Sequence, residues 1–289
     1  MVEADIERLC VTSAPKLEAL RARIGQFKTA IVAFSGGVDS TFVLKVARDV
    51  LGDGCTALTA MSASVAEREK KDARELAAGL GARHLMIESR EIDNPSYAAN
   101  PTNRCYFCKS ELYTICDAQK AKLGVEAVFD GFNADDKKDY RPGHKAANEH
   151  AVISPLAEAG LTKDEIRAWS HRLGLPTWDK PPMPCLASRL PYGTAVSPQR
   201  LFQIGSAEQD LWELGLRSFR VRYHGDIARI EAGPEELSML LQPALREKAI
   251  TAIKARGFKF VVVDLEPFRS GRLNEAAGIV MPVVPANRS

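Results

Sequence analysis

The feature that most narrows the possible folds is residues 29–51, TAIVAFSGGVDSTFVLKVARDVL. Thr29 to Phe34 is a short β-branched and apolar run, the pattern of a strand buried on both faces. Ser35-Gly36-Gly37-Val38-Asp39-Ser40 follows as a glycine-rich turn. Phe42, Val43, Val46, Ala47, Val50 and Leu51 then recur at helical spacing, and Gly52 stands where the helix should stop. Strand, glycine turn and helix in that order make an anion site, because N–H groups unobstructed by a Cβ converge on the positive end of a helix. The dipole alone contributes only about 0.3–1 kcal/mol where exposed, so phosphate affinity must rest mainly on converging N–H and hydroxyl donors. The turn has neither G-x-x-x-x-G-K-[ST] nor G-x-G-x-x-G, which excludes a Walker loop and a dinucleotide fingerprint.

The flanking chain repeats the alternation. Residues 1–28 read as a helix with Leu17, Leu20 and Ile24 at helical spacing, and Cys55 to Ala60 as a second strand. Ser64-x-x-Glu67 has the form of a capping box, predicting a helix from Ser64 to Gly81, before a third strand at His84 to Ile87. Strands joined by helices of this length imply right-handed crossovers and a parallel sheet, with ligands beyond the carboxyl ends of the strands. A fourth strand, Val125 to Asp130, runs into Gly131-Phe132-Asn133-Ala134-Asp135-Asp136, and Asp139-Tyr140-Arg141-Pro142-Gly143 extends that loop. Thr162-x-x-Glu165 opens a further helix ending at Gly174.

Six prolines between residues 176 and 198 stiffen PTWDKPPMPCLASRLPYGTAVSP and exclude regular helix there. From Ser197 the pattern is that of a small α+β unit. Ser197 caps a helix with Pro198 at its first position, running to about Leu214. Ser218 to Tyr223 alternates, with Arg220 and Arg222 on the face opposite Phe219 and Val221. Ile227 to Ala232 is its hairpin partner, helices fill 234–256, and Lys259 to Leu265 closes as a strand. The two arginines suit either plain solvent exposure or a phosphate clamp. The expected fold is α/β, with a nucleotide-binding domain over residues 1–180 and a linker with a small α+β domain over 181–289.

Lysine plus arginine exceed acidic residues by only two, so no basic field argues for nucleic acid. No apolar run reaches membrane-span length and the N-terminus is too acidic for a signal peptide, so the expected location is the cytoplasm. There the six cysteines are thiols or metal ligands rather than disulfides. Cys10, Cys55 and Cys116 read as core. Cys105 and Cys108 form C-x-x-C at the start of a helix, which suits a metal site or a redox or structural pair. Cys185 stands beside Ser188 and Arg189, where a cation would stabilise a thiolate.

S-G-G-x-D-S resembles the PP-loop of ATP pyrophosphatases, which split ATP into AMP and pyrophosphate while adenylating a substrate. The resemblance implies that Ser35, Gly36, Gly37, Asp39 and Ser40 hold ATP phosphates, with Asp39 organising Mg²⁺ and catalysis. It also implies that the end of the second strand, Ala60 to Ser62 and so Met61, contacts adenine. SGGVDS, NRCYFCK, GFNADD with DYRPG, KPPMPCLASRLPYG, RVRYHGDIARIE and DLEPFRSG together resemble the LarE family over about residues 25–275. These are ATP-dependent sulfur transferases that build the nickel-pincer nucleotide, the cofactor of lactate racemase. The resemblance implies that a carboxylate of pyridinium-3,5-biscarboxylic acid mononucleotide is adenylated and converted to a thiocarboxylate. Some members spend the sulfur of a cysteine at the position of Cys185. Others hold a [4Fe-4S] cluster on three cysteines, the set formed here by Cys105, Cys108 and Cys185. Zinc would want a fourth ligand, with His144 and His150 as the candidates. By the same resemblance Ser188, Arg189, Arg220 and Arg222 hold the substrate phosphate and Glu208 lines the site. A sulfur donor and a downstream nickel-inserting protein are the implied partners, and a homo-oligomer, such as a hexamer, the implied assembly. The alternatives are a cluster-dependent tRNA thiolase, disfavoured by the near-neutral charge, an amidotransferase-type synthetase lacking its glutaminase domain, and a nucleotide-binding sensor that would leave the cysteines idle.

Overall fold

The computed structural model describes residues 2–138, 142–269, 272–276 and 278. Asp139, Tyr140 and Arg141 of the DYRPG stretch, and Ser270 and Gly271 of DLEPFRSG, lie outside them. The chain divides into two compact units. The first is Met1–Ser62, Glu67–Glu91 and Asn103–Met183; the second is Ala63–Ala66, Ile92–Thr102 and Pro184–Ser289.

Unit 1 is built on a parallel sheet of four strands, β1 (Ala30–Ala33), β2 (Cys55–Met61), β3 (Arg83–Glu88) and β4 (Ala127–Phe129), in the order β3-β2-β1-β4. Ala30 pairs with Cys55 on one side and Ala127 on the other, so β1 is central. Its four side chains alternate between two cores. Ala30 and Val32 join Leu20, Ile24, Phe42 and Val46, whereas Ile31 and Ala33 join Leu58, Tyr113, Cys116 and Val128. A strand covered on both faces has no use for a polar side chain, which is why AIVA reads as continuous hydrophobe. Helices α1 (Glu3–Ile24), α2 (Val38–Leu51) and α3 (Glu67–Gly79) follow in sequence, and helices Arg104–Leu123 and Lys163–Arg172 complete the cover. The second of these carries the expected box: Thr162 Oγ1 accepts from the Glu165 N–H at 3.4 Å, and Glu165 Oε2 accepts from the Thr162 N–H at 2.8 Å.

The box expected at Ser64 does not form. Ser64 is buried, its hydroxyl meets the Tyr97 hydroxyl, and its carbonyl accepts from the Leu186 N–H at 2.7 Å. A side chain already engaged by Tyr97 is not available to cap, so α3 begins at Glu67 and ends at Gly79 rather than Gly81.

Unit 2 carries a sheet of β5 (Phe219–His224), β6 (Ile227–Ala232) and β7 (Phe260–Val263) in that order, β5 antiparallel and β7 parallel to β6. Gly225 turns the hairpin with φ +66°. Helix Pro198–Glu213, capped by Ser197 Oγ on the Arg200 N–H at 3.3 Å, lays Ala207 and Leu211 against Val221, Ile230 and Phe258. Residues 219–222 of β5 are all buried. Arg220 and Arg222 are therefore not a solvated face.

Candidate functional site

In unit 1 the glycine turn leaves β1 and becomes the first turn of α2. Its two serines close on each other: Ser35 Oγ and Ser40 Oγ are 3.1 Å apart, the Ser35 N–H donates to Ser40 Oγ at 3.2 Å, and Ser40 Oγ donates to the Gly37 carbonyl at 3.2 Å. Gly36 has φ +71°, and a Cβ there would lie 3.2 Å from the Ala73 Cα of α3. Glycine is required twice over, by conformation and by the helix packed against it. Gly131, at the end of β4, is set by a similar approach, since a Cβ would lie 3.0 Å from the Ser40 nitrogen.

Asp39 stands in the first turn of α2 with its carboxylate held from two later segments. Asn133 Nδ2 donates to Oδ1 at 3.3 Å, and Lys163 Nζ makes a close ion pair with Oδ2. Asn133 Oδ1 in turn accepts from the Asp135 and Asp136 N–H groups at 2.9 and 3.2 Å, so GFNADD is a turn folded around one amide. Lys180 Nζ reaches the Gly36 carbonyl at 3.4 Å while pairing with Glu69 at 2.9 Å and Asp72 at 3.2 Å. Neither lysine stood out in the sequence. Lys163 was hidden behind its capping threonine, and Lys180 lay inside KPPMP among prolines. Met61 ends β2, half-buried, as the expected adenine-side position.

Cys105 and Cys108 sit in the first two turns of helix Arg104–Leu123, the former exposed and the latter partly so. Two thiols three residues apart at a helix N-terminus share one face and a field that favours thiolate, so this pair suits a thiolate-bound metal. Cys185 is partly exposed and belongs to unit 2. Among the described residues no three His, Cys, Asp or Glu side chains gather as a metal site. His144 stacks on Phe132 at a centroid distance of 4.2 Å, and His150 Nδ1 meets Asp117 Oδ2 at 2.7 Å. The other three cysteines are core: burial pushes the Cys55 and Cys116 thiols up to about 12 and raises Cys10.

In unit 2 the CLASR stretch opens with Cys185 and forms a single 3₁₀ turn, Leu186–Arg189. Arg189 is 1 % exposed. Its Nε and Nη2 donate to the two oxygens of Glu208, both at 2.9 Å, and Nη1 donates to the Pro184 and Cys185 carbonyls at 2.5 and 3.2 Å and to Ser188 Oγ at 3.1 Å. Arg222 donates from Nη1 to the Ser188 carbonyl at 2.7 Å and from Nε to the fully buried Glu231 at 2.9 Å. Arg220 lies over the Phe268 ring at 4.7 Å and donates to the Phe219 carbonyl at 2.7 Å. Burial first, and then the Arg189 charge, lower its pKa to about 10. With Arg229 and Arg272 the ion-pair group holds Arg189 and Arg222 against the carboxylates of Glu208, Glu231, Asp264 and Glu266.

A serine-closed glycine turn between a central parallel strand and its helix, with a tethered aspartate above it, defines the nucleotide-binding unit of a PP-loop ATP pyrophosphatase. The family model described as NAD synthase matches residues 18–106. The chain is 37% identical over 265 residues, 91% of its own length and 95% of the relative's, to the pyridinium-3,5-bisthiocarboxylic acid mononucleotide synthase of Lactiplantibacillus plantarum. It is 46% identical over 259 residues, 90% of its length and 97% of the relative's, to an uncharacterized protein of Synechocystis. The glutamine-hydrolyzing GMP synthase of Phaeosphaeria nodorum is 26% identical over 209 residues, 61% of this chain and 38% of that one. The chain belongs to the LarE family of ATP-using sulfurtransferases. No helix among the described residues is long and apolar enough to cross a membrane.

Proposed function

We propose that this protein converts pyridinium-3,5-biscarboxylic acid mononucleotide to its thiocarboxylate form at the expense of ATP. The observation that carries the reading is the doubly tethered Asp39 over the Ser35–Ser40 turn, in a chain so similar to a synthase of that name. A carboxylate is a poor electrophile because its leaving group would be oxide. Attack of a carboxylate oxygen on the α-phosphorus of ATP forms an acyl adenylate and releases pyrophosphate. Attack of sulfur at the acyl carbon then forms the C–S bond, and AMP departs with the oxygen. The N–H groups of Gly36 and Gly37 and the hydroxyls of Ser35 and Ser40 would meet the charge on the departing pyrophosphate. Mg²⁺, when bound, would supply the remaining neutralisation, with Asp39 as its ligand. Binding would draw Lys163 off the carboxylate. Met61 contacts the adenine.

The substrate phosphate is assigned to the buried arginines of β5, with Arg220, Arg222 and Ser188 as its side of the contact. For sulfur delivery, Cys105, Cys108 and Cys185 would be the residues to hold a [4Fe-4S] cluster. Three thiolates leave one iron open, which is the chemistry a carried sulfide needs. The pair at the helix start suits this role, and Cys185 would complete it. Partners are the small pyridinium nucleotide, a sulfur source and the protein that inserts nickel.

The test is an anaerobic preparation assayed for iron and acid-labile sulfide and then for AMP, pyrophosphate and thiocarboxylate. Four irons per chain and several turnovers are expected, with AMP formed only when the pyridinium substrate is present. A preparation without iron that stops after one turnover, having lost about 34 Da as cysteine becomes dehydroalanine, would show Cys185 to be the donor itself. AMP formation without the pyridinium substrate would refute the reading.

A further inference from the structure

We propose that Arg189 and Glu208 are a positioning pair that fixes the direction of the Cys185 side chain and does not contact the substrate. A guanidinium has five N–H donors. Here Nε and Nη2 are paired with the two Glu208 oxygens, and Nη1 is shared among the Pro184 carbonyl, the Cys185 carbonyl and Ser188 Oγ. The side chain is 1 % exposed, so it has neither a face nor a nitrogen to offer a ligand.

What it holds is the peptide on either side of the thiol. The two carbonyls that receive Nη1 flank the Cys185 Cα, so they set the rotation of that backbone, observed at φ −56° and ψ 152°. Two further ties act on the same turn: the Leu186 N–H on the Ser64 carbonyl at 2.7 Å and Arg222 Nη1 on the Ser188 carbonyl at 2.7 Å. Glu208 is anchored beyond Arg189, because its Oε1 also accepts from the Val221 N–H of β5 at 2.9 Å. A rigid path therefore runs from β5 through Glu208 and Arg189 to the backbone of Cys185. With the backbone fixed, the thiol retains only its χ1 rotation. A ligand or a sulfur donor needs that direction defined. Lysine, a point charge on a flexible stem, cannot span Glu208 and two carbonyls at once.

The pair's catalytic consequence rests on the reading that Cys185 takes part in sulfur delivery; its structural consequence does not. The experiment uses Arg189→Lys and Glu208→Gln in the full chain, with two readouts. One is KM against kcat for thiocarboxylate formation with the pyridinium substrate. The other is the rate of Cys185 alkylation by iodoacetamide across pH 6–9, read by peptide mass in protein stripped of metal. In both variants kcat is expected to fall by about tenfold or more with KM within about twofold, while the alkylation rate or its pH midpoint at Cys185 shifts. Glutamine is close in shape to glutamate, so Glu208→Gln carries the comparison if Arg189→Lys does not fold. A tenfold rise in KM with alkylation unchanged would make Arg189 a substrate ligand and overturn the proposal; so would parental values in both readouts. Thiocarboxylate formation by Cys185→Ala would refute sulfur delivery by Cys185, and the alkylation comparison would still decide the positioning role.

Discussion

Gly36→Ala should damage both stability and nucleotide use, and a second glycine separates the causes. Gly36 has φ +71° and its missing Cβ would lie 3.2 Å from the Ala73 Cα and 3.3 Å from the Ala73 Cβ. Gly124, the cap of helix Arg104–Leu123, has φ +65° with nothing within 4 Å. Alanine at Gly124 therefore suffers only the left-handed conformation, about 1–2 kcal/mol. Alanine at Gly36 suffers that and must also push the turn a few tenths of an ångström off α3, where overpacking adds about 1–3 kcal/mol. At about 2–4 °C per kcal/mol for a domain of this size, Gly124→Ala should lower the melting temperature by roughly 2–8 °C and Gly36→Ala by clearly more. Calorimetry on the two variants, with pyrophosphate release on the same samples, measures both effects. Only Gly36→Ala should lose ATP turnover, by roughly tenfold or more, because only there does the shift reach the phosphate donors. Equal melting temperatures, or parental ATP affinity in Gly36→Ala, would show that the packing of the turn against α3 is not what fixes it.

Asp39→Asn should reduce pyrophosphate release at least about a hundredfold while changing the melting temperature little, since its ion pair with Lys163 is partly exposed and such pairs contribute little stability; a large stability loss would make Asp39 structural. In protein stripped of metal, iodoacetamide at pH 8 should modify Cys105, Cys108 and Cys185 long before Cys55 and Cys116, whose thiols burial pushes up to about 12; early labelling of Cys55 in folded protein would contradict the buried core. Burial first, and the Arg74 charge second, hold His84 below its ordinary value. The unfolded chain then binds that proton more readily, so the stability contribution is whole above about pH 6.5 and is lost as pH falls below it. His84→Gln should flatten the dependence of the melting temperature on pH between 5 and 7, and an unchanged slope would exclude His84 as its source. Arg222→Met removes a partner of the fully buried Glu231, leaving Arg229 at 3.1 Å and Arg272 at 3.6 Å, and should cost roughly 3 kcal/mol by denaturant unfolding; a neutral result would mean that Arg229 and Arg272 suffice.

Local features were legible where one physical requirement governs one residue. AIVA could only be a strand covered twice, Gly36 and Gly52 mark a turn and a stop, and Thr162 with Glu165 closes a box within four residues. Ser64 with Glu67 has the same spelling, yet Tyr97, thirty-three residues on, takes the hydroxyl. Spacing states what a side chain is able to bond, not which competitor reaches it first. The same limit hid Lys163 and Lys180, which come to the glycine turn from 124 and 144 residues away. It applies as well to Arg189, which the family resemblance gave to the substrate phosphate and whose guanidinium meets Glu208 and two carbonyls.

The chain's path has a consequence for how the molecule is made and divided. Residues 63–66 and 92–102 are spliced into a unit whose remainder begins at Pro184. Asn100 donates from Nδ2 to the carbonyls of Pro191 and Thr194 at 2.8 and 2.9 Å, and the Val196 N–H reaches the Ala98 carbonyl at 2.8 Å. On the ribosome these early stretches emerge before the segments they dock on, so the second unit cannot close until the chain beyond Pro184 has been made. Scissors applied at residue 183 would leave every segment of the first unit on one piece and part the second from residues 63–66 and 92–102.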